Sequence, residues 1–430
     1  MKRALHVAFL LAASLCARAD DWPRFLGPKD DCSSAETGLL KKWPKEGPKK
    51  LWEVEKGAGY ACPVVAGKWC ILFHSREGRE IIEGLDAETG ERKWKLDYEA
   101  PYEPQFGAGE GPRSSPLIAG DRVFVSGIAG HVHCLELATG KIVWKHNLAE
   151  DYKLSPTFFG HGGSPLLAEG KLIISLGTED GKSLVAFDPA TGKELWTAAS
   201  PWGASYASPI AATLNGKACI LALQGGMDQP PTGGLLVVDA ANGNVLAKVP
   251  HRAKMWASVS ASSPVVAGNR IYVSEAYTEG GLCVEVGPDF SAKPVWRAKN
   301  FDTYFTTAVQ DHGLLYGFAG QHQQNAELAC YDVASGKELW REDLEGKFQR
   351  GSLMHVDGAY LCLGENGDLA WLDLNAKGAK VLAQAKLFHA PETWTLPALA
   401  NGRLYVSQNQ PGAGGSPRRV ICYDLRGEGK

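Results

Sequence analysis

The stretch FDPATGKELW occupies residues 187–196, and nearly the same decamer returns three times: LDAETGERKW ends at Trp94, LELATGKIVW at Trp144 and YDVASGKELW at Trp340. Apolar residues lead up to an acid, as they do at a strand end. A short polar loop follows, closed by a glycine that can take the positive φ of a tight turn, while the Asp and Thr side chains bond nearby backbone amides. The chain then continues as a second strand ending in Trp. The spacing is firm, with pairs Asp86–Trp94, Glu136–Trp144, Asp188–Trp196 and Asp332–Trp340.

Weaker copies begin at Val238, Cys283, Trp371 and Cys422, which gives eight strand–turn units in all. Their separation, roughly 40–52 residues, is the period of a repeat architecture. Each unit also has a front half. SSPLIAGDRVFVSG from Ser114, GSPLLAEGKLIISLG from Gly163 and SSPVVAGNRIYVSE from Ser262 each read as strand, glycine turn, strand. Four antiparallel strands per repeat and eight repeats predict an all-β, eight-bladed β-propeller. The last unit stops after Asp424. KKLWEVE, with Trp52, matches the missing strand, so an N-terminal strand is expected to close the ring and remove its open edges. The domain reading is a signal peptide over 1–19, an extension over 20–47 and the propeller over 48–430.

Lys2 and Arg3 precede an apolar run that ends in Ala17-Arg18-Ala19, the pattern of a secretory signal cleaved after Ala19. A lipoprotein anchor at Cys16 is disfavoured by Leu15, where a small residue is wanted. A periplasmic or secreted protein is expected, with no transmembrane segment. The net charge of −3 and the lack of a basic block argue against nucleic acid as a partner. Of ten cysteines, nine remain without Cys16, and no CxxC or adjacent pair occurs. Buried free thiols are the expected state, and haem attachment and a zinc ribbon are not supported.

The motif acid, two variable residues, Thr-Gly-Lys, two more, then Trp resembles the tryptophan-docking motif of quinoprotein propellers. The chain is identified as similar to PQQ-like (pyrroloquinoline-quinone-repeat) β-propeller proteins over residues 50–427. That resemblance implies that Trp52, Trp94, Trp144, Trp196, Trp296 and Trp340 pack between neighbouring blades. DDWPRFLGP, residues 20–28, resembles a segment of secreted relatives, and Trp22 and Phe25 are expected to pack on the propeller's flank. The family's enzymes hold PQQ over calcium, with Glu, Asn and Asp ligands and an adjacent-cysteine ring. No adjacent cysteines occur here, and the ligands cannot be placed residue by residue. Another relative, the propeller subunit of the outer-membrane β-barrel assembly machinery, binds a partner protein without catalysis.

The expected role is therefore a binding or scaffold propeller, monomeric, with a protein partner or a small anionic or sugar-like ligand. The alternatives are a PQQ- and calcium-dependent dehydrogenase of alcohols or sugars, and a carbohydrate-binding or carbohydrate-active propeller. No catalytic residue and no metal ligand is assigned. Long connections from Gln224, Ser274, Ala319 and Ser407, with the entry to blade three from Asp151, mark one face as functional, because the decamer turns on the opposite face are uniform. The residues entering each innermost strand should ring the channel mouth on that face: Tyr60, Arg113, His161, Tyr206, Tyr304, Phe305, Arg350 and Trp394. They suit an anionic or sugar-like ligand, or else they plug the channel by packing on each other. His131 and His133 share a strand face but lack a third metal ligand. Glu110 is expected to pair with Arg113.

Overall fold

Within each repeat the second and third strands carry the longest apolar runs, because both of their faces are covered by neighbouring sheets. In the second blade, Arg122–Ser126 and His131–Glu136 are buried almost throughout, whereas Ile142–Asn147, the outer strand, is largely open to solvent. In the computed structural model, which describes residues 20–102, 109–227, 229–256, 258–322 and 325–427, this pattern yields eight four-stranded antiparallel sheets. The signal-peptide stretch 1–19 lies outside the described residues.

The eight sheets close into a ring. Lys49–Glu55 pairs antiparallel with Arg419–Asp424, from Lys49 opposite Asp424 to Glu55 opposite Arg419, and so supplies the outer strand of the eighth blade. The innermost strands of the first and eighth blades, Val64–Ala66 and Ala398–Ala400, lie side by side.

The decamer tryptophans bridge the blades. The indole N–H of Trp94 donates to Leu137 O at 2.9 Å, that of Trp144 to Pro189 O at 3.0 Å, and that of Trp296 to Val333 O at 2.9 Å, each in the following blade. Trp340 reaches Asn375 O at 2.7 Å, and Trp52 reaches Ala87 O at 3.2 Å across the ring closure. Each ring except that of Trp340 also lies on the turn glycine of the next blade. A Cβ on Gly140 would stand 2.4 Å from Trp94, and one on Gly243 2.5 Å from Trp196. Among the described residues the Trp196 indole N–H has no hydrogen-bond partner, so that dock rests on packing. Opposite every docking position the third-to-fourth-strand ladder slips by one residue, as between Ala186 and Phe187 and between Cys134 and Leu135. Such a bulge adds twist and turns one side chain outward. Val143, Leu195, Val295 and Leu382, exposed on the outer strands, are these skipped residues.

The Ser-Pro element of each front half ties the inner strands together. Ser115 Oγ accepts from Cys62 N, Ser164 Oγ from Ser115 N and Ser208 Oγ from Ser164 N, all at 2.9 Å. Thr307 Oγ1 accepts from Ser263 N at 3.1 Å. All nine described cysteines are buried and unpaired.

The N-terminal extension does not lie on the flank, as expected from sequence. It crosses the channel at the end carrying the decamer turns. Trp22, fully buried, exchanges two 2.8 Å backbone bonds with Val65, and Pro23 O accepts from Ile118 N at 2.8 Å. Asp30 receives the Ala211 N–H at 3.3 Å, Cys32 O accepts from His355 N at 2.9 Å, and Glu36 accepts from Gly402 N at 2.7 Å. The segment thus touches the first, second, fourth, seventh and eighth blades in turn. Innermost strands leave backbone donors and acceptors facing the axis, and the extension supplies their partners.

Candidate functional site

With one end of the channel stoppered, the other stays open as a cavity of about 500 Å³ on the long-loop face. Its walls include Tyr60, Arg113, Tyr206, Tyr304, Phe305 and Trp394 of the expected ring, and Phe25 of the extension reaches it from below. Gly162 and Ala261, at the matching entry positions of two other blades, line it as well.

Two expected residues stand elsewhere. Arg350 sits behind the wall, its guanidinium over the rings of Phe305 at 5.3 Å and Trp394 at 5.2 Å, and it is ion-paired with the buried Glu365. His161 is buried, and its backbone N–H donates to Ile128 O. Burial lowers its imidazole to about 4, which keeps it neutral. Glu110 does not pair with Arg113. Arg113 donates instead to Gly111 O at 3.0 Å and Gly109 O at 2.9 Å.

The aromatic residues form a continuous belt. Phe159 packs on Tyr206 at 5.5 Å between ring centres, and the Arg113 guanidinium lies over both Phe159, at 5.6 Å, and Tyr60, at 5.9 Å. Tyr60 stacks on Trp394 at 5.2 Å, Trp394 meets Phe305 at 4.5 Å, and Phe305 meets Tyr304 at 3.8 Å. The rings pack on one another without filling the channel mouth, and the cavity they surround stays open.

Several side chains at the cavity carried no signal of their own. Glu392 accepts the Tyr60 hydroxyl at 2.6 Å and the Gln410 amide at 2.6 Å, both on Oε2. Its backbone is left-handed, with φ 59°, a strained position for a non-glycine residue and one typical of functional sites. Arg418 donates to Asn409 O at 2.9 Å and Gln410 Oε1 at 3.2 Å. Gln410 and Arg418 lie in the long connection flagged from Ser407, and Phe159 in the one flagged from Asp151. Nothing local in the sequence marked Glu392.

Calcium takes six to eight oxygen ligands, several of them carboxylates. Glu392 is the one acid among the described lining residues, and one of its oxygens is already shared by Tyr60 and Gln410. Nearby Glu275 and Glu365 are tied to Arg252 and Arg350. Among the described residues no group of three His, Cys, Asp or Glu side chains stands ready for a metal. The described residues of the cavity do not fit a calcium-held quinone. The pair His131 and His133 instead packs on Tyr98, at 5.4 and 4.4 Å between ring centres.

A family model described as outer membrane protein assembly factor BamB matches residues 77–342. The chain is 26% identical over 321 residues to outer membrane protein assembly factor BamB of Burkholderia pseudomallei (strain K96243), covering 66% of this chain and 79% of that protein. It is 36% identical over 121 residues to quinoprotein ethanol dehydrogenase of Pseudomonas aeruginosa, covering 26% of this chain and 19% of that enzyme. Among solved structures, a europium-containing methanol dehydrogenase superimposes with a TM-score of 0.66 at 13% identity, covering 94% of this chain and 98% of that one. That last likeness is one of fold.

Proposed function

The chain belongs to the family of outer membrane protein assembly factor BamB, and from that premise we propose that it is an exported binding or scaffold propeller whose long-loop face engages its partner. One observation carries the reading. The large apolar side chains exposed among the described residues lie on outer strands, except for Met255 at 51% and Trp256 at 45%. These two stand on the entry to the fifth blade, where Trp256 packs on Phe158 at 5.1 Å, beside the cavity wall at Phe159. Exposed apolar residues next to a cavity mark a contact surface. Among the described residues no helix is long and apolar enough to cross a membrane, and the proposed location is the periplasm or the exterior.

A photo-crosslinking side chain tests this. Placed at Trp256, it should capture a defined partner in cells; placed at Thr191, on the opposite face, it should not. Capture from the Thr191 face alone would refute the proposal. The quinone dehydrogenase alternative draws on the local match to quinoprotein ethanol dehydrogenase, but that match spans 19% of the enzyme. The carbohydrate alternative draws on the stacked Tyr60–Trp394 pair with Glu392 beside it.

A further inference from the structure

We propose that the channel-mouth cavity binds a polyhydroxylated organic acid of the sugar-acid type, its carboxylate held by Arg113 and Arg418 and a hydroxyl by Glu392; this rests on the loop-face binding reading above and names the ligand class for it.

The charge balance of the cavity points to an anion. Of the arginines at this end of the channel, two that stand near the cavity are neutralised. Arg252 pairs with Glu275 at 2.9 Å, and Arg350 pairs with Glu365. Arg113 and Arg418, the two that line the cavity, have no carboxylate within ion-pair distance among the described residues. Each uses two of its five N–H donors on main-chain or amide oxygens, which leaves donors for a carboxylate fork. Arg113 is half-buried, so its charge is poorly screened, and burial draws its pKa below the usual arginine value. The belt strengthens the preference. Its ring faces are covered by one another and by Arg113, and ring edges carry partial positive charge.

Glu392 argues against a bare anion and for a hydroxylated one. It lines the same cavity, and among the described residues its Oε1 has no hydrogen-bond partner, since Tyr60 and Gln410 both bind Oε2. A carboxylate accepts hydrogen bonds only. It repels an anion that lacks hydroxyls and rewards one that brings them. Tyr60 and Gln410 hold this acceptor in place on a left-handed backbone, φ 59°, and Gln410 links it to Arg418. Cation and acceptor thus belong to one hydrogen-bonded unit, Arg418–Gln410–Glu392–Tyr60.

Titration calorimetry of the full mature protein with sodium glucuronate, glucose and sodium benzoate tests this. Glucuronate should bind about tenfold or more tightly than either of the others, as expected for charged hydrogen bonds. Arg418→Met and, as a milder variant, Arg113→Lys should each weaken glucuronate while leaving the melting temperature near that of the parent. Glu392→Gln should weaken glucuronate and strengthen benzoate, a sign reversal that a merely structural role would not produce. Equal binding of benzoate and glucuronate would overturn the sugar-acid class. No glucuronate binding at millimolar concentration would overturn the inference outright. If crosslinking from Trp256 persisted in that case, the loop-face reading would stand without it; if both failed, both would fall.

Discussion

Gly140 meets two demands at once. Its φ of +68° suits glycine, and a Cβ there would stand 2.4 Å from the Trp94 ring. Gly120 has φ +59° and, among the described residues beyond its chain neighbours, nothing within 4 Å of a Cβ, so it isolates the backbone demand. Gly120→Ala should cost about 1–2 kcal/mol from the left-handed conformation alone. Gly140→Ala should cost clearly more in urea denaturation, because Trp94 must also move; equal losses would show that the turn glycines serve conformation only. The sequence showed these glycines as turn formers, but it could not show the ring above them, which comes from the preceding blade. Glu80 gives a second test. It is fully buried, accepting from Ile128 N at 2.9 Å and the Tyr98 hydroxyl at 2.7 Å, and burial raises its pKa from 4.5 to about 7. The folded protein therefore holds this proton more tightly than the unfolded chain does. The stabilisation is full below about pH 4.5 and is lost as pH rises through about 7. Glu80→Gln should gain thermal stability relative to the parent between about pH 5 and about pH 8. A pH-independent difference would contradict the assignment.

At the scale of elements, the strands and turns were legible because each obeys a local rule. The alternation, the Gly turns and the acid-to-Trp spacing recur in every strong copy, and even the missing outer strand could be matched to KKLWEVE. Removing residues 49–55 exposes Arg419–Asp424 as an open edge. Circular dichroism melts of that truncation should lose the cooperative transition; an unchanged melt would contradict ring closure through this strand. The extension was not legible in the same way. Its contacts alternate between distant blades, from Val65 to His355, and a segment without periodicity carries no register to read. Trp22 is its buried anchor. Trp22→Ala should cost about 3–5 kcal/mol, as large aromatics in cores do, measured by urea denaturation, and an effect below about 1 kcal/mol would place the extension outside the cooperative unit. The bulges were also invisible beforehand, since a skipped residue such as Leu195 reads as an ordinary member of an alternating strand.

At the scale of the molecule, repetition builds the ring and departures from repetition build the site. The docking turns on one face are alike because each must fit the Trp of its neighbour. The entry and long connections on the other face answer to no such demand, and there Arg113 from the entry to the second blade meets Glu392, Gln410 and Arg418 from the connections of the eighth. Six of the eight mouth residues expected at the entries to the innermost strands line the cavity, since the repeat fixes where a chain enters the channel. It does not fix side-chain direction, and Arg350 turned back to meet Glu365. The fold is shared with quinone enzymes, but the cavity holds a single carboxylate among its described lining residues, already bonded to Tyr60 and Gln410. The most direct test of the binding-propeller account is a titration of the mature protein with PQQ and Ca²⁺, followed by quinone absorbance and by dye-linked oxidation of alcohols and sugars. The account predicts no calcium-dependent binding and no turnover at saturating cofactor. Tight, calcium-dependent binding with turnover would contradict it and make the Tyr60–Arg113–Trp394 cavity an enzyme's cofactor site.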